Sequence, residues 1–233
     1  MNQDKFIEEL KKINIDITSY QLKQLDKYYQ LLVEYNKQFN LTAITEKKDV
    51  YLKHFYDSLT LTKIIDLNKI NYFCDVGTGA GFPGIVLKIL FPNLKITLID
   101  SLNKRVNFLN VVINELKLTD IEAIHARAEE YSMLNRNKFD ITTSRAVSNL
   151  SNLLEYNIPM TKENGYFIAL KGNVENELVE SENALKELNT IIDEKIVFNL
   201  PYENSIRTII KFKKIKDNKK YPRKYSEIKK HRL

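Results

Sequence analysis

Three glycines alternate with other residues in one short stretch of the chain: Gly77, Gly79 and Gly81. Asp75 precedes them at the end of a mostly apolar run, 70–74, and Pro83 follows them. Glycine adopts positive φ and exposes bare backbone to a ligand, and the first N–H groups of a helix have no partner within the helix. Proline suits the first helical turn. The spacing therefore predicts a strand, a ligand-binding turn and a helix that begins near Pro83.

A second run with strand character, 95–99, ends at Asp100. In an open α/β sheet an acid at this point can accept hydrogen bonds from both hydroxyls of a ribose. The spacing is not the Gly-x-Gly-x-x-Gly of dinucleotide-binding loops, because Phe82 stands where the third glycine would fall. With an acid just before the glycines, the loop suits a nucleoside without phosphate, such as S-adenosylmethionine. A methyltransferase is favoured over a nicotinamide enzyme or a purely structural glycine turn.

The ends of the later predicted strands carry further candidate ligand contacts. Ala128 and Glu129 follow the third strand, 121–126, and an acid there could accept a hydrogen bond from the exocyclic amine of adenine. Glu129 fits the start of a helix equally well. Arg145 follows the fourth strand, 139–143, and its guanidinium could hold a carboxylate of the cofactor or a phosphate of the substrate. A surface ion pair is the alternative for Arg145.

A polar cluster is predicted on a helix that precedes the glycine loop. Thr45 is positioned to cap this helix, and His54, Asp57 and Ser58 lie three and four residues apart on it. A hydrolytic triad is disfavoured, because all three residues share about one helical turn, whereas a triad is usually assembled from separate segments. We expect a structural or substrate-facing hydrogen-bond cluster.

The remaining pattern is that of an α/β chain with helices at its amino end. Thr18 and Gln21 form a capping-box signature before an amphipathic helix. After the fifth strand, 165–170, Lys171 is followed by a long polar helix to about Asn189. Two further strands, near 195–200 and 207–212, should be antiparallel, because too few residues separate them for a helical crossover.

Length and composition narrow the class of protein. The chain has 233 residues, of which 43% are hydrophobic, enough for one α/β domain with an attachment. No apolar run approaches the length of a membrane span, and the first residues lack the apolar core of a signal peptide, so the sequence predicts a cytoplasmic protein. Cys74, the single cysteine, is expected to be buried in the first strand. Three histidines and one cysteine indicate no metal-ligand cluster.

Positive charge is concentrated at the carboxyl end. Residues 211–233 contain eleven Lys and Arg against two acids, although the whole chain carries a net charge of only +6. Such a segment is either a solvated and partly disordered tail or an arm that binds the phosphates of a nucleic acid. Both interpretations are open from the sequence.

Several motifs stand together in the order found in one known family. They are NLTAI (40–44), His54 with Asp57 and Ser58, DVGTGAGFPG (75–84), DSLNKR (100–105), SRA (144–146), ALKG (169–172) and YPRK (221–224). Through nearly its whole length the chain resembles the ribosomal small-subunit methyltransferase G family, also called glucose-inhibited division protein B. The resemblance implies a Rossmann-like class I S-adenosylmethionine-dependent methyltransferase fold, with a helical extension (1–68), the methyltransferase domain (69–215) and a basic tail (216–233).

The resemblance also implies a reaction, a cofactor and site residues. The reaction is methylation of N7 of a guanosine in 16S ribosomal RNA, with S-adenosylmethionine as cofactor. The cofactor contacts implied by the motifs are Gly77, Phe82, Ala128, Glu129 and Arg145. Two further cofactor contacts come from the residues themselves: Asp100, which can accept hydrogen bonds from the ribose, and Gly79, whose bare backbone a ligand can approach. After Pro-Arg-Lys the tail continues with Tyr225 and Ser226, where Pro-Gly is expected in low-GC members, and this affects the conformation of the tail more than the activity.

Guanine N7 carries a lone pair and no proton, so no residue is assigned as a catalytic base. Arg145 and Lys171, at strand ends, are candidates for orienting the guanine or its phosphate. The expected partner is 16S ribosomal RNA or the small ribosomal subunit, and a monomer is expected. A non-enzymatic RNA- or ribosome-binding protein and a methyltransferase with a non-RNA acceptor are the rival functions, and a basic tail argues against the latter.

Overall fold

The computed structural model describes residues 1–145, 148–203 and 205–233. These residues form one mixed β-sheet flanked by helices. The strands are β1 (Tyr72–Val76), β2 (Lys95–Asp100), β3 (Ile121–His125), β4 (Phe139–Arg145), β5 (Thr161–Lys171), β6 (Thr190–Asn199) and β7 (Ile206–Lys214). Across these ranges the seven strands lie in the order β3-β2-β1-β4-β5-β7-β6. Strands β1 to β5 are parallel, and β7 runs antiparallel to β5; β6 and β7 are antiparallel to each other, as predicted. The chain therefore changes direction across the sheet between β1 and β4, where open α/β sheets bind ligands.

Helices cover both faces of this sheet. They are α1 (Gln3–Lys12), α2 (Ser19–Phe39), α3 (Lys47–Val50), α4 (Asp57–Leu59), α5 (Gly84–Leu90), α6 (Asn103–Glu115), α7 (Ala128–Leu134), α8 (Leu150–Asn157), α9 (Glu175–Glu180), α10 (Glu182–Glu187) and α11 (Tyr225–Lys230). Alternate residues of β1 point to opposite faces, so Phe73 packs with the amino-terminal helices whereas Cys74 and Val76 pack beside α7. Cys74 is buried, as predicted. In the described part of the chain no helix is long and apolar enough to span a membrane.

The amino-terminal helices share one hydrophobic core with the sheet. The predicted capping box of Thr18 and Gln21 is present at α2. From α2 the Gln21 amide donates to the carbonyl of Ile89 at 2.9 Å, and the Tyr28 hydroxyl donates to the carbonyl of Ala80 in the glycine loop. The extension therefore supports the loop directly.

The predicted cap at Thr45 is wrong. Glu46 occupies the N-cap position of α3, and the Thr45 carbonyl instead accepts a hydrogen bond from Tyr29 at 3.2 Å. The helix also does not stay α-helical, since it continues as a π-helical turn over Tyr51–Tyr56 before α4. This turn carries His54.

Strands β1 and β4 both end later than the sequence predicted. Parallel pairing of β1 with β2 continues through Asp75 to Val76, so Asp75 lies inside the strand instead of ending it. Pairing of β4 with β5 continues to Arg145, which makes Arg145 the last residue of β4. Ala146, the last residue of the SRA motif, lies outside the described residues.

The predicted long polar helix is wrong as a single element, because it divides into α9 and α10 at Ser181. The Ser181 hydroxyl donates to the carbonyl of Glu177 at 2.6 Å and lies 3.1 Å from the hydroxyl of Ser151 on α8. Ser181 is fully buried, so this contact outweighs the helical continuity suggested by composition.

The basic tail is packed against the domain. Arg223 donates from Nε and Nη2 to the two carboxylate oxygens of Glu155 on α8, at 2.9 and 2.7 Å. Tyr221 and Ile228 are buried, and α11 follows the Arg223 contact. The alternative of a solvated, partly disordered segment therefore does not describe this tail.

Candidate functional site

The glycine loop closes the carboxyl end of β1. Gly77, Gly79 and Gly81 all have positive φ, of 70°, 62° and 98°. The N–H groups of Gly77 and Thr78 donate to the carbonyl of Ile99 at 2.8 and 3.0 Å, which holds the loop over the end of β2. A Cβ placed on Gly79 would meet no described atom within 4 Å, so this position faces open space. The loop therefore offers an uncovered backbone surface to a ligand.

Asp75 puts a buried carboxylate beneath this loop. Its Oδ2 accepts hydrogen bonds from the Thr78 hydroxyl at 2.7 Å and from the Gly84 N–H at 2.9 Å. Its Oδ1 is buried and has no partner among the described residues. Burial raises the pKa of Asp75 to about 6, so the group is ionised at neutral pH.

Asp100 stands at the end of β2, beside the loop. Its carboxylate accepts hydrogen bonds from the N–H groups of Gly79 and Leu102, both at 2.9 Å, and from Arg105 at 3.2 Å. A carboxylate offers about four lone-pair positions, so capacity remains for a ribose hydroxyl. Asp75 and Asp100 place two carboxylates at this end of the sheet, one of them paired with Arg105, and the buried charge of Asp75, unpaired among the described residues, favours a cationic ligand over a phosphate.

A first cavity of about 200 Å³ opens at this edge. Its wall includes four of the predicted cofactor residues: Gly77, Asp100, Ala128 and Glu129. Glu129 is 4% exposed and accepts a hydrogen bond from Arg127 Nε at 2.6 Å. It also lies in the first turn of α7, so the helix-start interpretation is correct, and its position on the cavity wall is compatible with the adenine role.

A second cavity, of about 440 Å³, lies between the helical extension and the ends of β4, β5 and β7. Arg145 and Lys171, the predicted substrate contacts, both line it. Lys171 donates to Glu177 at 2.8 Å and to the carbonyl of Ser148 at 2.9 Å. Arg145 lines this second cavity and not the first, unlike the four cofactor residues above.

Arg145 is largely buried, with 16% of its side chain exposed, so it is not a surface ion pair. It donates to Asp57 at 3.3 Å, to the carbonyl of Lys53 at 3.1 Å and to His54 Nδ1 at 3.1 Å. Since arginine only donates, Nδ1 must accept, and Nε2 of neutral His54 then donates to the Thr42 hydroxyl at 2.9 Å. Burial, aided by Arg145, lowers the pKa of His54 to about 3 and keeps the ring neutral.

The predicted polar cluster is therefore a hydrogen-bond network and not a triad. The Ser58 hydroxyl donates to the backbone carbonyl of His54 at 2.6 Å, and the His54 ring nitrogens bond elsewhere. The ring of Phe82 stacks on the ring of His54, with centroids 4.3 Å apart. The guanidinium carbon of Arg145 lies 5.3 Å from the centroid of the same Phe82 ring. Phe82, predicted to contact the cofactor, thus directs its ring toward the network and links the glycine loop to the second cavity.

Sequence reasoning missed two cations in the second cavity. Arg207 on β7 donates to Asp57 at 3.0 Å, and Lys53 pairs with Glu203 at 2.8 Å. Arg207 and Asp57 are 150 residues apart, and no local pattern connects them. In the described ranges no group of three or more His, Cys, Asp or Glu residues is arranged to hold a metal ion.

Comparisons with known proteins agree with this geometry. The model of the family described as rRNA small subunit methyltransferase G matches residues 21–206. The chain is 47% identical to "Ribosomal RNA small subunit methyltransferase G" of Lysinibacillus sphaericus, over 96% of each chain. It is 46% identical to the protein of that name in Bacillus subtilis, over 96% of this chain and 95% of the relative.

Solved structures with little sequence identity share the fold. A SAM-dependent methyltransferase from Aquifex aeolicus superposes with a TM-score of 0.55 at 18% identity, covering 72% of this chain and 93% of that one. TYW2 of M. jannaschii, solved in complex with AdoMet, gives a TM-score of 0.52 at 15% identity, covering 63% and 70%. The fold is the class I S-adenosylmethionine-dependent methyltransferase fold, and the chain belongs to the rRNA small subunit methyltransferase G family.

Proposed function

We propose that this enzyme transfers the methyl group of S-adenosylmethionine to N7 of a guanosine in 16S ribosomal RNA. The observation that carries the proposal is the pair of cavities along the carboxyl-end edge of the parallel strands, one beside the glycine loop and one lined by cations. Family membership supports the reaction class and the RNA substrate. We also propose that the enzyme acts as a monomer, in the cytoplasm where ribosomal subunits are assembled, and the RNA substrate of the family supports this compartment.

The residues of the glycine loop and of the first cavity together fit S-adenosylmethionine. The open space over Gly79 leaves room for the ligand against the backbone. Asp100 would accept from the ribose, and Glu129 from the adenine amine. Asp75, with its unpartnered Oδ1, places negative charge beneath a ligand that carries a sulfonium and an ammonium group. The same charge would repel the pyrophosphate of a dinucleotide.

The second cavity suits the acceptor nucleotide. Arg145 and Lys171 line it, and a guanidinium fork can orient a guanine or a phosphate through paired donors. When bound, the cofactor supplies an electrophilic methyl group. Guanine N7 has no proton to lose, so the residues have to hold the two reactants in line and exclude water. Such positioning can contribute on the order of 7 kcal/mol to lowering a barrier.

The direct test is to incubate the purified protein with tritiated S-adenosylmethionine and small-subunit RNA, as naked RNA and as intact subunits, from cells that lack this activity. Label on N7 of a single guanosine is the expected result. Cofactor binding without label on either form of RNA would indicate a different methyl acceptor. Absence of cofactor binding would overturn the enzyme assignment and leave the binding-protein alternative.

Two glycine substitutions should separate cofactor binding from folding. Gly79→Ala should weaken binding of S-adenosylhomocysteine at least about tenfold, because the new methyl group occupies the open space, while the positive φ of 62° costs only about 1–2 kcal/mol of stability. Gly165→Ala, away from both cavities, should instead destabilise the fold by roughly 1–3 kcal/mol, because its Cβ would lie 2.8 Å from the backbone carbonyl oxygen of Asp140.

Urea unfolding and isothermal titration with S-adenosylhomocysteine measure the two effects on the same samples. Equal losses of binding in the folded Gly79→Ala protein and the folded Gly165→Ala protein would contradict the placement of the cofactor over Gly79.

A further inference from the structure

The carboxyl-terminal helix α11 touches the wall of the first cavity. The guanidinium carbon of Arg127 lies 3.7 Å from the centroid of the Tyr225 ring. Arg127 in turn donates to Glu129, and Arg127 and Glu129 both line the cavity. A continuous contact therefore runs from the tail to the residue proposed to accept the adenine amine.

Arg223, two residues before Tyr225, fixes the tail to Glu155 on α8. The Glu155 carboxylate is 1% exposed and accepts three hydrogen bonds from Arg223, including one from its backbone N–H at 2.8 Å. Tyr156, the next residue along α8, lines the first cavity. Charge-assisted bidentate pairs are geometrically specific, so Arg223 sets where Tyr225 begins α11.

Resting on the proposed function, we propose that Tyr225 and Arg127 are positioning residues that couple the tail to cofactor affinity. An arginine with 43% of its side chain exposed has many rotamers in water. Stacking on Tyr225 restricts Arg127 to the orientation that holds the Glu129 carboxylate at the cavity wall. The tail is thus part of the cofactor site, in addition to any contact that its lysines make with RNA.

The assignment predicts a specific kinetic signature for Tyr225→Ala. Its Kd for S-adenosylhomocysteine and its KM for S-adenosylmethionine should rise about three- to tenfold, whereas kcat at saturating cofactor should be unchanged. Tyr225→Phe, which keeps the ring, should retain most of the affinity.

Tyr202→Ala is the matched control. Tyr202 is also an exposed tyrosine beneath a cation, Lys5, at 4.9 Å, and it lines neither cavity. Its removal should leave cofactor affinity at the wild-type value.

Titration calorimetry with S-adenosylhomocysteine, together with thermal unfolding, tests on the full-length protein whether Tyr225 couples the tail to cofactor affinity. Wild-type affinity in Tyr225→Ala, or an equal loss in Tyr225→Phe or Tyr202→Ala, would overturn the coupling. Cofactor binding that depends on Tyr225 in a protein that methylates no RNA would instead uphold the coupling and reject the proposed acceptor. No binding of S-adenosylhomocysteine by the wild-type protein would overturn both.

Discussion

Alanine at Arg145 should slow methyl transfer by about a hundredfold or more, while affinity for S-adenosylhomocysteine changes only a few-fold. Arg145 lines the second cavity and not the first, so its loss removes a donor fork from the proposed acceptor site and leaves the glycine loop in place. Removal of one preorganised donor from an active site typically costs about 10²–10³ in rate. Single-turnover transfer from tritiated cofactor to RNA measures the effect.

Stability must be measured beside activity, because Arg145 also compensates a buried charge. Its removal leaves the buried Asp57 with Arg207 alone and deprives His54 Nδ1 of its donor. Breaking a buried pair in this way costs about 3–5 kcal/mol, and the remaining arginine should reduce that figure. Asp57 and Arg207 still pair after Arg145 is removed, so the Arg145→Ala protein should lose stability but stay folded, and urea unfolding measures that loss beside the rate.

Lys69→Ala supplies the control, since the Lys69 side chain is 81% exposed, pairs among the described residues only with Asp66 at 3.3 Å and lines neither cavity. Its rate and stability should match the wild type. Transfer within a few-fold of wild type in folded Arg145→Ala protein would exclude Arg145 from the acceptor site and leave Lys171 as the candidate from the sequence.

The parts of the fold that the sequence predicted well depend on local signals. Thr18 and Gln21 define the start of α2 through their own hydrogen bonds, and the glycines permit the positive φ of the loop. The extent of β4 depends instead on pairing with β5, which continues to Arg145, and no residue near Thr143 encodes that pairing. The break at Ser181 likewise depends on Ser151, which belongs to another helix.

The candidate site likewise contains some residues that the sequence could predict and others that only the fold brings together. Gly77, Asp100 and Glu129 lie at or just after the ends of β1, β2 and β3, and parallel strand ends meet at one edge, so strand order alone brings them together. The second cavity, the proposed acceptor site, depends on Asp57, which pairs with arginines from β4 and from β7. Those contacts join segments far apart in the chain, and only the folded structure reveals them.

Asp75→Asn should stabilise the cofactor-free protein at neutral pH and weaken its affinity for S-adenosylmethionine about tenfold. Burial raises the pKa of Asp75 from 3.8 to about 6, so keeping the carboxylate ionised at pH 7 costs about 3 kcal/mol. The asparagine oxygen can still accept from Thr78 and Gly84, but its amide group would take the unpartnered position, at a cost of about 1–2 kcal/mol. The net gain in the free energy of unfolding should be about 1–2 kcal/mol.

The pH dependence of the free energy of unfolding tests whether ionisation of Asp75 causes this gain. Between about pH 4 and pH 6 the folded state binds more protons at Asp75 than the unfolded state does, so the contribution of Asp75 to stability falls as pH rises. The variant should therefore be no more stable than the wild type near pH 4, and its advantage should grow through pH 6 and then level off. Urea unfolding across this range measures it, with the exposed Asp16→Asn as the matched control.

The affinity change tests the role of the charge itself. S-adenosylmethionine carries a sulfonium charge that S-adenosylhomocysteine lacks, so Asp75→Asn should weaken binding of the former more than that of the latter. Equal losses for the two ligands would mean that asparagine disturbs the shape of the loop, and no loss would mean that the buried carboxylate does not contribute to cofactor binding. A greater loss for the charged ligand would show that the protein keeps a destabilising ionised group under its glycine loop because the cofactor is a cation.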